Sequence, residues 1–514
     1  MKPRRLSFGR CVELITLLAV SCVAITTSAQ QSSNTSDSDL AQSVSELRQQ
    51  VQELRTAVSE IKSEAAQYRA ENQKLREQLE SMRPNSGAQS NTSSTSPAES
   101  ATKSPPEQRI SSLEEGSQVQ QSELRTLYQT KVESASKYRV RLSGLVLLNI
   151  FHNQGQVDNQ DVPSYATSMA GPYGNGPVTG ATMRQSEVGL EVFGPRIFGA
   201  KTSGQIQLDF GGGFPQGALD GVNNGLVRLR TGSLRLDWDN TSIVAGQDEL
   251  FISPNSPTSF ASLLVPSLGY SGNLWAWTPQ LRIEHKFNLS EKQNISVQGG
   301  LLDNVTGEST YMSHRFPQAG ERSGLPAYAA RTAWTRNISG KPLTVGAGGY
   351  YSRQNWGFGW TVDGWAAMAD WRIPLFSKLE LSGEFYRGRA VGGLGGGIGQ
   401  SVLFDGSPSN PASDFVPLDS TGGWSQLKFI ANSRLEFNAG FGGDSPFAAD
   451  IHAFPSPVGV YSSALAANRS EMTNFIYRPR SDLLFSGEYR HLHTVQIGSY
   501  STADQVNMIM GVLF

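Results

Sequence analysis

The sequence predicts an all-β transmembrane barrel of about sixteen antiparallel strands, preceded by an α-helical coiled coil. Three observations lead there. From Tyr138 onward, segments of about ten residues alternate apolar with other side chains, the period of a strand with one face in oil. The connections between these segments alternate long and short, which sorts the strand ends into two sides. The chain then ends on Q-V-N-M-I-M-G-V-L-F, where Val506, Met508, Met510, Val512 and Phe514 share one face and no turn follows. An apolar strand left at an edge in water invites aggregation, whereas a closing strand in lipid does not.

Composition agrees. The mean hydropathy is −0.32 and 38% of residues are hydrophobic, which excludes a bundle of membrane helices. Apart from the N-terminus, no run approaches the ~20 apolar residues of a membrane helix, but barrels escape that test because only alternate residues face lipid. The formal net charge of −2 gives no reason to expect nucleic acid as a partner. Both cysteines, Cys11 and Cys22, lie in the leader, so the mature chain has no disulfide or thiol chemistry.

Residues 1–29 read as an export signal. Lys2, Arg4, Arg5 and Arg10 precede an apolar core from Leu14 to Ile25, and small residues at Thr27 and Ala29 suit cleavage after Ala29. A lipoprotein reading through Cys22 fits less well, because Ala19 is a poor first residue for that motif.

Residues 40–82 carry an unbroken heptad. Leu40, Leu47, Leu54, Ile61, Tyr68, Leu75 and Met82 occupy d; Val44, Val51, Val58, Ala65, Asn72 and Leu79 occupy a. Arg48, Arg55, Lys62, Arg69, Arg76 and Arg83 fill e, and Glu64 and Glu71 at g can pair with Arg69 and Arg76 of a parallel neighbour. Such a rod is roughly 65 Å long. A Ser/Thr/Pro-rich linker follows over 83–109, then a short helical segment over 110–135 containing Ile110, Leu113, Leu124 and Leu127.

The barrel is expected over 138–514. In its first segment Tyr138, Val140, Leu142, Val146, Leu148 and Ile150 share a face opposite Arg139, Arg141, Ser143 and Asn149. Long connections are expected at 152–182, 211–225, 249–279, 304–326, 353–361, 390–421, 442–467 and 493–504, with short ones between. An even strand count then leaves both barrel ends on the short-turn, periplasmic side. Aromatics near strand ends suggest two interfacial girdles, with Trp238, Phe287, Trp371 and Tyr477 below, and Phe151, Phe210, Tyr351, Tyr386, Trp424 and Phe441 above.

Arginine stands out on the faces turned away from lipid. Arg228 and Arg230 share a face, and a bulge near Thr231-Gly232-Ser233 would return Arg235 to it. Arg282 and Arg331 are also on non-lipid faces, and Asp248 and Glu249 open the long connection 249–279, which holds Pro254, Pro257 and Pro266. A charge facing lipid costs about 2–4 kcal/mol at mid-bilayer, so these side chains belong inside. Two roles stay open for them: selecting solutes, or bracing the wall through ion pairs with Glu187, Glu191, Asp209, Glu284 and Glu384.

No catalytic, cofactor or metal site is expected. The glycines at 392–399 do not fit G-x-G-x-x-G, His491 and His493 share a face without a third ligand, and no Ser/His/Asp motif occurs.

Val227-Arg-Leu-Arg230, Ser233-Leu-Arg-Leu-Asp-Trp238, Ala245-Gly-Gln-Asp248 and Trp277-Thr-Pro-Gln-Leu-Arg282 resemble strand motifs of DcaP-like porins. The resemblance implies a trimeric, sixteen-stranded outer-membrane barrel with a periplasmic coiled coil, similar to phosphate-selective porins. In porins the connection corresponding to 249–279 folds into the lumen. The function expected is passive diffusion of small polar, anionic solutes, with Arg228, Arg230, Arg235, Arg282, Arg331, Asp248 and Glu249 lining the pore. The expected surroundings are outer-membrane lipid, a homotrimer, and peptidoglycan or periplasmic proteins along the coiled coil. Asn72 and Val at a favour two-stranded coils, so the trimer rests on barrel contacts. Two alternatives remain: a sugar porin using Tyr270, Trp275, Trp277, Trp356, Phe358 and Trp360, and a tether between outer membrane and cell wall.

Overall fold

Alternating strands and tight turns close into one wall in the computed structural model, which describes residues 139–168, 176–213, 225–308, 315–459 and 464–514. The segments expected at 1–29, 40–82, 83–109 and 110–135 lie outside the described residues.

The first half of the wall is β1 (Arg139–Gln154), β2 (Glu187–Ile197), β3 (Ala200–Asp209), β4 (Arg228–Asp237), β5 (Thr241–Glu249), β6 (Trp277–Ser290), β7 (Gln293–Leu302) and β8 (Ala327–Ile338). The second half is β9 (Lys341–Asn355), β10 (Thr361–Phe376), β11 (Leu379–Arg389), β12 (Asp419–Asn432), β13 (Leu435–Pro446), β14 (Leu465–Arg480), β15 (Leu483–Gln496) and β16 (Ser499–Leu513). Each strand pairs antiparallel with the next, and β16 returns to β1 from Leu145↔Leu513 to Gln154↔Asp504. Val178–Thr182 and β2 share one position beside β1, so the closed wall has 16 strands. Closure removes every sheet edge, the condition for strands to cross a membrane.

Turn chemistry sets the short end. Ser339-Gly340 links β8 to β9 with φ of +52° and +83°, the two left-handed residues of a hairpin turn whose twist matches its strands. The long end differs most from expectation at its last connection. Ile497-Gly498 replaces the long connection expected at 493–504, because β15 and β16 stay paired up to Gln496↔Ser499. His493 and Tyr500 stack 5.5 Å apart across this hairpin and extend its ladder.

The two faces separate by parity. Val146, Ile150, Leu281, Val506, Met510 and Val512 are exposed on the outer face, and Ala245 is opposed in register to exposed Leu234 and Leu281. Asn149, Ser352, Gln426, Asn438, Asn468 and Asn507 are buried on the inner face. Three residues expected in the upper girdle turn inward instead. Phe151, Tyr386 and Trp424 are buried, and it is Phe385, one position from Tyr386, that is exposed outside.

The connection between β5 and β6 covers 250–276, shorter at both ends than the expected 249–279, because Glu249 and Trp277 still pair in the ladder. This loop fills the barrel with its own apolar core. Phe260, Ala261 and Leu263 pack on Leu145, Leu147, Ile476, Leu484, Ile509 and Leu513 of the wall. Leu250, Phe251, Ile252 and Leu274 pack on Tyr350, Ala366, Met368 and Tyr386. Each fully buried side chain of this kind stabilises by about 1.5–3 kcal/mol, so the loop's course is a folded feature.

Candidate functional site: the loop-filled lumen

The arginine-bearing wall, β3 to β6, is knitted by ion pairs. A bulge gives β4 one extra residue: Gln207 opposes Thr231 while Leu208 opposes Leu229. Arg230 and Thr231 are therefore both buried inside, and Arg228 and Arg235 also point inward. Arg228 makes a fork to Asp209 at 2.7 and 3.0 Å and donates to Leu264 O of the loop at 2.9 Å. Arg230 pairs with Glu187, both almost fully buried. Arg235 reaches Asp237 at 2.7 Å and Glu284 at 3.4 Å; Arg282 reaches Asp248 at 2.8 Å and Glu284 at 2.7 Å. Farther round, Arg331 on β8 forks to Asp370 on β10 at 2.7 and 2.9 Å, through the space that Gly346 leaves on β9.

These five arginines therefore meet six carboxylates, from Glu187, Asp209, Asp237, Asp248, Glu284 and Asp370. Trp277, where the loop rejoins the wall, lies under two of them, with the guanidinium carbons of Arg228 and Arg230 at 4.8 and 4.7 Å from its ring centroid. Glu249 is exposed and lines the space below the loop.

The opposite wall, β11 to β15, holds the loop. Glu384 accepts the Ser253 hydroxyl and the Asn255 N–H, the latter at 2.8 Å. Gln426 accepts the Thr258 N–H at 2.6 Å, and Asn474 donates to Thr258 O at 2.8 Å. Glu488 accepts the Ser259 hydroxyl at 2.5 Å and Arg490 at 2.6 Å; Arg490 also donates to Ser262 Oγ and to Pro163 O. On the β2 side, Gln185 donates to Ala261 O and accepts the Leu263 N–H. Where the loop backbone meets the wall there are no side chains at all: Gly272, at φ +92°, lies against Gly423 and Gly443, and a Cβ on Gly442 would strike Ser271 O.

Two chambers flank the loop, and Trp275, Ala276 and Trp277 bound both. The upper one, toward the long connections, is a vestibule of ≈ 470 Å³ lined by Tyr165, Tyr270, Trp356, Asp158 and Glu308 among others. Tyr270 and Trp275 stand edge to face at 5.9 Å. Phe358 and Trp360 are not among its lining residues; they meet edge to face at 5.3 Å, and Trp360 packs on Phe404 and Phe415. The lower chamber, ≈ 110 Å³, is lined by loop hydroxyls and by Arg230, Glu249, Arg372, Glu380 and Lys428.

No protein-family model matches the chain, and no curated protein matches it significantly. Among solved structures it is similar to the outer membrane channel DcaP of Acinetobacter baumannii, with a TM-score of 0.53 and 15% identity over 75% of this chain and 100% of that one. The likeness is one of fold. Looser likenesses are to an anion-selective porin of Comamonas acidovorans (TM-score 0.46, 12% identity, 74% of this chain and 100% of that one) and to OprB of Pseudomonas putida (0.43, 11%, 73% and 94%).

Sequence reasoning missed several residues that face this lumen: Arg372, Glu380, Lys428, Glu488 and Arg490. Parity carried the signal for one of them, since Lys428 lies between exposed Leu427 and Phe429 and must point inward. The glycine doublets Gly422-Gly423 and Gly442-Gly443 were a further unread signal, marking wall bare enough for a loop to dock.

Proposed function

We propose that this chain is a bacterial outer-membrane porin, a passive diffusion channel for small polar solutes with a preference for anions. It works as a homotrimer, with the 40–82 coiled coil in the periplasm available to peptidoglycan or periplasmic proteins. The observation that carries the reading is the pair of chambers on either side of a loop folded into a closed barrel, polar and charged inside and apolar outside. The five arginines of β4, β6 and β8 brace the wall in this reading, because each already has a carboxylate partner.

One observation favours a second reading. Tyr270, Trp275, Trp277 and Trp356 around the vestibule offer faces and edges on which sugar rings stack, so neutral sugars are candidate solutes too. Single-channel recording of the purified protein in a salt gradient tests the main reading. Steps of current with an anion-side reversal potential are expected; a folded but silent barrel overturns the porin and leaves the tether. Current blocked by neutral oligosaccharides would move the assignment to sugar passage. Native mass of the detergent-solubilised protein is expected at three chains, and a dimer overturns the trimer.

A further inference from the structure

The vestibule above the loop holds a carboxylate that the fold leaves without a countercharge. Beyond β1 the chain makes a small hairpin, where Val157 bridges Ala166 and the Asp158 N–H donates to Tyr165 O at 3.2 Å. Asp158 Oδ1 accepts the Ser164 and Tyr165 N–H groups at 2.8 and 3.1 Å, which fixes the side chain while it stays exposed to the vestibule. The carboxylates near it are spoken for. Asp161 pairs with Arg184 at 3.2 Å, and Glu308, also in the vestibule lining, pairs with Arg322 at 2.9 Å. Among the described residues no cationic side chain pairs with Asp158, and no lysine, arginine or histidine lines the vestibule.

The same cavity is walled by rings. Tyr165 comes from the hairpin, Tyr270 and Trp275 from the loop inside the barrel, and all three are half-buried with ring surface open to the cavity. Tyr270 and Trp275 stand edge to face at 5.9 Å. The wall holds the two segments together. Asn468 on β14 donates to Ser164 O at 3.0 Å and to Tyr270 O at 2.9 Å, so one buried amide sets the hairpin beside the loop. Thr494 on β15 donates to Asn468 Oδ1 at 2.8 Å and accepts the Ala166 N–H at 2.9 Å.

An unpaired carboxylate beside aromatic rings suits one class of ligand. A ring face attracts a cation through its quadrupole, within about 6 Å of the centroid, and the carboxylate supplies the countercharge. A hard metal ion asks for several oxygen ligands, and among the described residues no group of three acidic or histidine side chains is placed to supply them. An alkylated ammonium asks for fewer, because its carbon shell packs on the rings. The vestibule, ≈ 470 Å³, has room for a small organic molecule.

We propose that the vestibule is a binding site for a small organic cation, a quaternary or alkylated ammonium group held by Asp158 and the rings of Tyr165, Tyr270 and Trp275. This goes beyond the porin reading, since the ligand has the sign opposite to the solutes assigned to the channel. The site stands whether or not the barrel conducts.

The probe is choline, compared with its uncharged isostere in which carbon replaces nitrogen. Saturation-transfer NMR on the detergent-solubilised full chain reads binding directly and needs no current. Choline is expected to bind, and the isostere to bind about tenfold more weakly, since it lacks both the ion pair and the attraction to the rings. Asp158→Asn is expected to lower choline affinity about fivefold and leave the isostere unchanged. Trp275→Leu is expected to lower choline affinity about threefold. The wild-type arm needs no variant to fold. Equal binding of choline and isostere to the wild type, or choline affinity unmoved in folded Asp158→Asn, overturns this site while the porin stands. Choline binding to a barrel that never conducts overturns the porin reading while this site stands.

Discussion

The two walls of the lumen use the same residue types for different purposes. Along β2 to β6, Arg228, Arg230, Arg235 and Arg282 pair with carboxylates of their own strand or of a strand one or two positions away, over as few as two residues of sequence. Along β11 to β15, Glu384, Gln426, Glu488 and Arg490 reach inward to loop residues from 129 to 229 positions away. The first wall holds its own shape; the second decides where the loop sits. Wall-bracing substitutions should therefore change barrel stability, and loop-anchoring substitutions should change conductance.

The largest effect is expected on the bracing side. Glu187→Ala leaves the Arg230 guanidinium buried without its carboxylate, a change that costs about 3–5 kcal/mol. Thermal unfolding followed by loss of the compact electrophoretic form should show a lower midpoint, with channel size little altered. An unchanged midpoint would break the comparison.

Next comes Glu384→Ala, which removes the acceptor for the Asn255 N–H and leaves the Ser253 hydroxyl only Leu274 O. Each buried donor left without a partner costs about 1–3 kcal/mol, enough to free this part of the loop. Single-channel conductance should rise and become noisy. Gly442→Val should act in the same direction by pushing Ser271 away from the wall. If both variants conducted like wild type, the far wall would not position the loop.

A smaller effect is expected from Trp277→Ala. It removes a ring from beneath Arg228 and Arg230, contacts worth about 0.5–2 kcal/mol in total context. It also widens the boundary between the chambers. Conductance should rise modestly without a change in reversal potential, whereas lost block by oligosaccharides would show the ring to be a sugar platform.

The smallest expected change follows pH. Asp158 lies outside the strands and lines the vestibule; it is exposed to the vestibule, but the protein crowded around it pushes its carboxyl up to about 6 against the pull of the Ser164 and Tyr165 N–H groups. Below that pH it is neutral and above it charged. Acidification from about pH 8 to about pH 5 thus removes one negative charge from the vestibule, shifting reversal potential slightly toward anions. Asp158→Asn should abolish that component, and a full pH response in the variant would assign it elsewhere.

The strand count, the closure on Phe514 and the sorting of long and short ends were legible because each depends on local information. Period-2 alternation forces a side chain to one face or the other, and a charge at mid-bilayer is tolerated on one of them only. Local rules slipped where registry extended beyond the turn signals, as at Ile497-Gly498, and where parity shifted by one, as at Tyr386. The candidate arginines could be given a face in the same way, but not a partner. Nothing in Val227-Arg-Leu-Arg230 says that Glu187 and Asp209 lie opposite.

The sequence by itself determined which residues look at lipid and which look at the lumen, since a pleated strand offers two faces and the solvent on each is different. Only the tertiary structure decided what the lumen-facing residues do. Whether a guanidinium is paired, anchors a loop or lines a chamber depends on registers between strands far apart in sequence, and on the path of 250–276 across the barrel. That path is set by apolar burial against Leu145, Ile509 and Tyr350 and by bare glycine at Gly442, contacts that exist once the wall has closed.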